Sequence, residues 1–292
     1  MQKSKTQAGG QAVIEGVMMR VGRRVAVAVR SPGGQITVRE EAIEPLARRY
    51  SPLGWPIIRG AVSLVESLSV GMRALMYSAN AQAESEEEEL SSGEMLGAVV
   101  FSVALAVLLF ILLPTALTSL ADRLISGGLV LNLVEGGIRL GVVITYIAAI
   151  GYFPDVGRVL EYHGAEHKVI RAWEISGELP SVEHARCEST VHVRCGTSFI
   201  LMVAVVSIFI YSLFGWSPSF WARIGMRLAL LPIVAGIAYE VISGASRWHN
   251  AFISALMLPG LWLQRLTTRE PADDQLEVAI EALGRCLNHN KD

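Results

Sequence analysis

From Leu96 to Ala121 the chain carries no charged side chain. About 20 consecutive apolar residues suffice to cross a bilayer as a helix, and a soluble helix has no need to be apolar all round for that length. The run predicts a transmembrane helix, and composition agrees. With 52% hydrophobic and only 18% charged residues, a chain of 292 residues is too apolar for an ordinary soluble domain. Shorter apolar stretches follow at Ile138–Phe153, Phe199–Gly215 and Leu228–Ser243, each ended by charge, Gly or Pro. Ala251–Leu263 is too short to span unaided and contains Pro259-Gly260, so it reads as a re-entrant or interfacial segment, such as the lower half of a broken helix, with a fifth crossing left open. The predicted fold class is mainly α: a polytopic membrane helical bundle of about four spans plus that segment, with a small N-terminal cytoplasmic β unit.

The flanks set the orientation. Residues 1–10 are polar and offer no apolar core before a cleavage site, which predicts no cleavable signal peptide. Arg20, Arg23, Arg24, Arg30, Arg39, Arg48, Arg49, Arg59 and Arg73 all precede the first span, so the N-terminal region is expected to stay in the cytoplasm. An even number of crossings returns the C-terminus there too, and puts residues 154–198, with Arg158, Lys168, Arg171, Arg186 and Arg194, on the same side. The expected location is the cell inner membrane, multi-pass. Glu135 and Arg139 flank the second span and Arg227 opens the fourth, positions from which long side chains can snorkel to the interface as anchors. Glu240 lies late in the fourth apolar run. It either faces the bundle interior, a metal or a cation, or sits at the interface paired with a group such as Arg247.

Four units follow. Residues 1–56 form a cytoplasmic β-rich unit, in which Val25, Val27 and Val29 alternate, Pro32-Gly33-Gly34 turns and Ile36–Val38 resumes. Residues 57–93 comprise an amphipathic helix, with Ile58, Val62, Val65, Leu68, Met72 and Leu75 at helical spacing, and an acidic linker over Glu84–Glu89. Residues 94–270 are the transmembrane bundle with its His/Cys-rich loop at 154–198. Residues 271–292 hold an amphipathic helix, with Leu276, Ala279, Ile280, Leu283 and Leu287 on the face that could cover the β unit.

Between Tyr162 and Thr197 lie four of the six histidines and two of the three cysteines. On a helix, His163 and His167 project from one face with Glu166 beside them. The order His-x-x-Glu-His is that of inverted zinc-protease motifs, where both histidines bind Zn²⁺ and the glutamate acts as general base. Further ligands are available in His192 and Cys195, and Cys187 and His184 stand between. Imidazole with thiolate suits zinc, and a reducing compartment leaves the thiols free of disulfides.

Four ordered stretches make the chain resemble the YqhQ-like bacterial integral membrane family: Gly9–Arg20 (GGQAVIEGVMMR), Tyr162–Lys168 (YHGAEHK), His192–Phe199 (HVRCGTSF) and Pro259–Pro271 (PGLWLQRLTTREP). Family members are a domain of unknown function often labelled a predicted metal-dependent enzyme, so the resemblance implies a multi-span inner-membrane protein with an inferred metal site. Val193 stands where the family is expected to have proline. The first motif also draws in Glu15, either at the site or as a structural carboxylate paired with Arg20.

The leading expectation is a zinc-dependent hydrolase with a cytosol-facing site: Glu166 catalytic, His163, His167 and His192 or Cys195 on the metal, and Glu15, Cys187 and Glu240 as possible additions. The alternatives are a scaffold or assembly factor whose four ligands close a structural zinc site, and a transporter using Glu240 and the Pro259-Gly260 break. The lipid bilayer is the expected partner. A net charge of −2 without a basic stripe points away from nucleic acid. Neither substrate nor protein partner is legible.

Overall fold

The computed structural model describes residues 8–46, 50–83, 91–122, 124–192, 195–245 and 251–288. The acidic linker, Val193 and Arg247 lie outside the described residues. Strands β1 (Ala8–Val13), β2 (Gly16–Val21), β3 (Arg24–Arg30) and β4 (Ile36–Ala42) form an antiparallel meander in chain order. Alternation then splits the side chains between two faces. Val13, Met18, Val25, Val27 and Val29 pack with Val70 and Ala74 of helix α1 (Ile58–Asn80). Val17, Met19, Ala26 and Ala28 pack against Tyr162, Ala165 and Val169 of α5 (Pro154–Ser176) and Leu276, Ala279 and Leu283 of α10 (Asp273–Asn288). The C-terminal amphipathic helix therefore covers the sheet, and a sheet that is apolar on both faces is enclosed by helices on both.

Among the described residues, four helical stretches are long and apolar enough to cross a membrane: Gly93–Leu120, Gly128–Ile150, Gly196–Leu213 and Phe220–Gly244. The first is built of α2 (Ser92–Val107), a π-turn at Leu108–Leu112 and α3 (Leu113–Leu120). The others are α4 (Gly128–Ile150), α7 (Gly196–Leu213) and α8 (Phe220–Ala245). Between α5 and α7 lies the short α6 (Val182–Arg186). The Pro259-Gly260 region belongs to one helix, α9 (Ala251–Thr267), which runs through Pro259 and packs against α7 and α4.

The second and fourth apolar stretches are longer than expected because charges taken as boundaries lie within the helices. Glu135, Arg139 and Arg227 are not interfacial anchors: their exposures are 1%, 7% and 0%. Glu135 accepts from Thr115 Oγ1 at 2.8 Å, Arg139 Nη2 at 2.7 Å and Arg227 Nε at 2.6 Å. Arg139 also donates to the carbonyl of Phe110 at 2.9 Å, an acceptor within the π-turn, where the ordinary helical ladder is interrupted. Snorkelling requires a path to water; these side chains point inward and satisfy one another.

Candidate metal centre

Pro154 in the first turn and Asp155 beside it start α5, and two turns later the helix presents His163 and His167 on one side. Their rings meet edge to face with centroids 4.4 Å apart. Gly164 between them has a packing reason. A Cβ there would overlap the backbone carbonyl oxygen of Arg269, because the chain leaving α9 crosses α5 at this point. Arg269 N–H donates to the Leu160 carbonyl at 2.9 Å and fixes the crossing.

That crossing carries Thr267 to His163, whose Nδ1 lies 2.6 Å from the Thr267 carbonyl oxygen. Nδ1 of His167 meets the Thr190 carbonyl in the same way. A carbonyl only accepts, so both Nδ1 atoms carry a proton, and in the neutral form of each ring Nε2 is the atom with the lone pair. This backbone orientation of the imidazole is the usual outer support of metal-binding histidines. Cys195, the N-cap of α7, brings Sγ to 3.2 Å from His163 Nε2. Thr197 Oγ1 stands 3.1 Å from that sulfur and 3.2 Å from Thr267 Oγ1, closing a ring of contacts back to His163. One ligand atom from each of His163, His167 and Cys195 lies within 4.8 Å of the others.

His192 is close by, its ring centroid 5.8 Å from that of His167, but it is not in this cluster. Its Nε2 is engaged by Glu174 Oε2 at 3.2 Å, and burial lowers its pKa. Its backbone is clamped by Gln264, which accepts from His192 N–H and donates to His192 C=O, both at 2.8 Å. Glu166 is buried against Gly10, where a Cβ would come 2.9 Å from the Glu166 Cγ and Cδ atoms. Burial pushes the Glu166 carboxyl above its usual range, opposed by His163, His192 and the Gly10 amide. Beside these groups opens a cavity of about 530 Å³ lined by Ala8–Ala12, His163, Glu166, His167, His192 and Cys195.

The remaining expectations divide. Cys187 and His184 are exposed and are not part of the cluster. Glu15 occupies the β1–β2 turn with φ of 49° and does not line the cavity. Its partner is not Arg20, which donates to the Gly22 carbonyl. Glu15 pairs with Arg158, whose Nη2 is 2.7 Å away, and accepts from the Tyr162 hydroxyl at 3.3 Å. Glu240 accepts from Arg59 Nε of α1 at 2.7 Å, which makes it a tie between the two helices. Residue-by-residue reading missed Thr190, Thr197, Gln264, Thr267 and Gly10, which act through backbone or short polar contacts. Except for Thr190, each lies inside one of the four recognised stretches. Lys168, in the same motif as the histidines, donates to the Arg186 carbonyl at 2.8 Å and pairs with Glu270 at 2.6 Å, holding the intervening loop in place.

Fold and site together define a mainly helical protein with four helices apolar enough for a membrane, a small antiparallel sheet and a His/Cys cluster between them. Residues 55–289 match the family model described as a protein of unknown function (DUF1385), and the chain belongs to that family. It is similar to the uncharacterized protein YqhQ of Bacillus subtilis (strain 168), with 34% identity over 301 residues, covering 96% of this chain and 92% of that protein. The family match does not include residues 1–54, which hold the sheet and the Gly9–Arg20 stretch. No solved structure matches.

Proposed function

We propose that this protein is a zinc-dependent membrane hydrolase with His163, His167 and Cys195 as metal ligands and Glu166 as general base. The supporting observation is the position of His192. Its Nε2 is held by Glu174, so the three clustered ligands leave a fourth position beside the cavity. Three protein ligands and an open place are the arrangement of catalytic zinc, whereas structural zinc is closed by four. The metal would supply Lewis acidity and an acidified water at that position. Thr267 and Thr190 hold the imidazoles in the metal-binding tautomer, Thr197 steadies the sulfur, and Glu166 takes and returns the proton.

Metal analysis of detergent-purified protein tests the reading. About one zinc per chain is expected in the wild type, lost in His163→Ala and Cys195→Ala but kept in His192→Ala and Glu166→Gln, with Glu166→Gln inactive. Loss of zinc from His192→Ala as complete as from Cys195→Ala would mean a closed structural site. A metal-free wild type would remove zinc from the account.

We further propose that the four apolar helices span the inner membrane with both termini, the sheet and the site in the cytoplasm, supported by the arginines that precede the first span. A membrane-impermeant maleimide should then label the exposed Cys187 only after the cells are opened. Cys286 should stay unlabelled in the folded protein at neutral pH. It is 1% exposed, its thiol donates to the Met19 carbonyl at 3.4 Å, and burial pushes its pKa up to about 11, so thiolate is scarce. Labelling of Cys187 in intact cells would reverse the orientation.

A further inference from the structure

The sheet has an unpaired edge that lies in the proposed site. Among the described residues β1 pairs only with β2, and its other side is the end of the sheet. The two strands are joined across Ile14-Glu15, with Val13 opposite Gly16. In a two-residue hairpin the pair flanking the turn exchanges hydrogen bonds, and paired residues then alternate along the ladder. Gln11 and Gly9 therefore bond to Met18 and Arg20, while Ala8, Gly10 and Ala12 direct N–H and C=O away from the sheet. The Gly10 amide, which acts on the Glu166 carboxylate, obeys that parity. Among the described residues, Ala8 and Ala12 have no partner for these outward groups.

Ala8–Ala12 line the same cavity as His163, His167 and Cys195. Gly9 and Gly10 put no side chain into it, and Val159, Leu160 and Ile170 supply apolar wall. A free strand edge is a template for another extended chain: main-chain hydrogen bonds bind it, and pockets for alternate side chains select it.

We propose that the substrate is an extended polypeptide segment that adds to the free edge of β1 and so brings one peptide bond to the His/Cys cluster. The inference rests on the hydrolase reading above and names its substrate class. The step is hydrolysis, with water as co-reactant. The water oxygen forms a bond to the peptide carbonyl carbon, one of its protons passes to Glu166, the C–N bond breaks and Glu166 returns that proton to the departing amine; the second water proton follows from the new carboxylic acid to the amine, leaving a carboxylate and an ammonium group.

The experiment uses the full-length, zinc-containing protein in detergent and a mixture of quenched fluorescent decapeptides. Wild type should cleave the mixture, and Glu166→Gln should bind it without cleavage. Ala12→Pro removes an outward N–H and sets a ring on the free edge, but takes no hydrogen bond from the β1–β2 ladder, since proline is tolerated at sheet edges. It should keep its zinc and its melting temperature and lose about tenfold in kcat/KM, the equivalent of one main-chain hydrogen bond. Ala8→Pro provides the same test at the other end of the strand should Ala12→Pro melt early. Proline variants that retain zinc and cleave like wild type would overturn the edge-pairing proposal. So would a zinc-loaded wild type that neither binds nor cleaves peptides but hydrolyses a phospholipid or simple ester; the hydrolase reading would survive that result. Wild type without zinc would fail the earlier reading instead.

Discussion

Glu135→Ala is expected to lower the stability of the protein by about 3–5 kcal/mol, the usual cost of removing one partner from a buried ion pair. Glu135 serves two guanidinium groups at once, Arg139 on its own helix and Arg227 from α8, and it is 1% exposed. The remaining donors are already placed: Arg139 Nη1 on Ser207 Oγ at 2.8 Å, and Arg227 Nη1 on the Arg223 carbonyl at 3.2 Å. Both guanidinium groups stack over Tyr211, at 5.3 and 5.2 Å from the ring centre. Removing the carboxylate leaves two cations inside the bundle with no counter-ion and no route to water. The triple variant Glu135→Leu, Arg139→Met, Arg227→Met should recover most of the loss, because the penalty comes from unpaired charge. Unfolding in detergent, followed by circular dichroism, reads both. A Glu135→Ala loss below about 1 kcal/mol, the range of a solvent-exposed pair, would mean that water reaches the network.

If the proposed zinc site is right, Gly164→Ala should weaken metal binding while leaving every proposed ligand in place. The added methyl would overlap the Arg269 carbonyl oxygen, a backbone atom that cannot rotate aside, so the chain after α9 must move. Overpacking of this kind costs about 1–3 kcal/mol. The same segment carries Thr267, which holds His163 Nδ1. Disturbing such outer partners typically weakens metal binding by about 10–100-fold. Gly196 provides the contrast, since a Cβ there meets nothing within 4 Å, and Gly196→Ala should bind zinc as wild type does. Competition with a chelator of known affinity measures both. Equal affinity in Gly164→Ala and wild type would show that the crossing does not support the site.

The two kinds of feature differ in how far they could be read from residues. Leu96–Ala121 announces a membrane-length helix because absence of charge is a local property. Alternation at Val25, Val27 and Val29, and the heptad-like spacing of Leu276, Ala279 and Leu283, announce a strand and an amphipathic helix for the same reason. The second and fourth apolar helices look short in the sequence because Glu135, Arg139 and Arg227 resemble boundaries until their mutual pairing is known. The pairing of Glu15 with Arg158 joins the first hairpin turn to α5, and no local signal distinguishes Arg158 from Arg20.

The site divides along the same line. That His163, Glu166 and His167 lie together follows from their spacing alone, since a helix brings residues three and four apart to one side. The sequence also supplied Cys195 and His192 as eligible ligands, chemically alike in their fitness for zinc. Packing between distant segments places only one of the two sulfur and nitrogen candidates beside the His163–His167 pair. Gln264 clamps His192 from far along the chain, Glu174 engages its Nε2, and the start of α7 carries the Cys195 sulfur to His163. Backbone periods act over a few residues and can be read from them. A choice among equivalent side chains depends on contacts between segments distant in the chain, which exist only once the helices have packed.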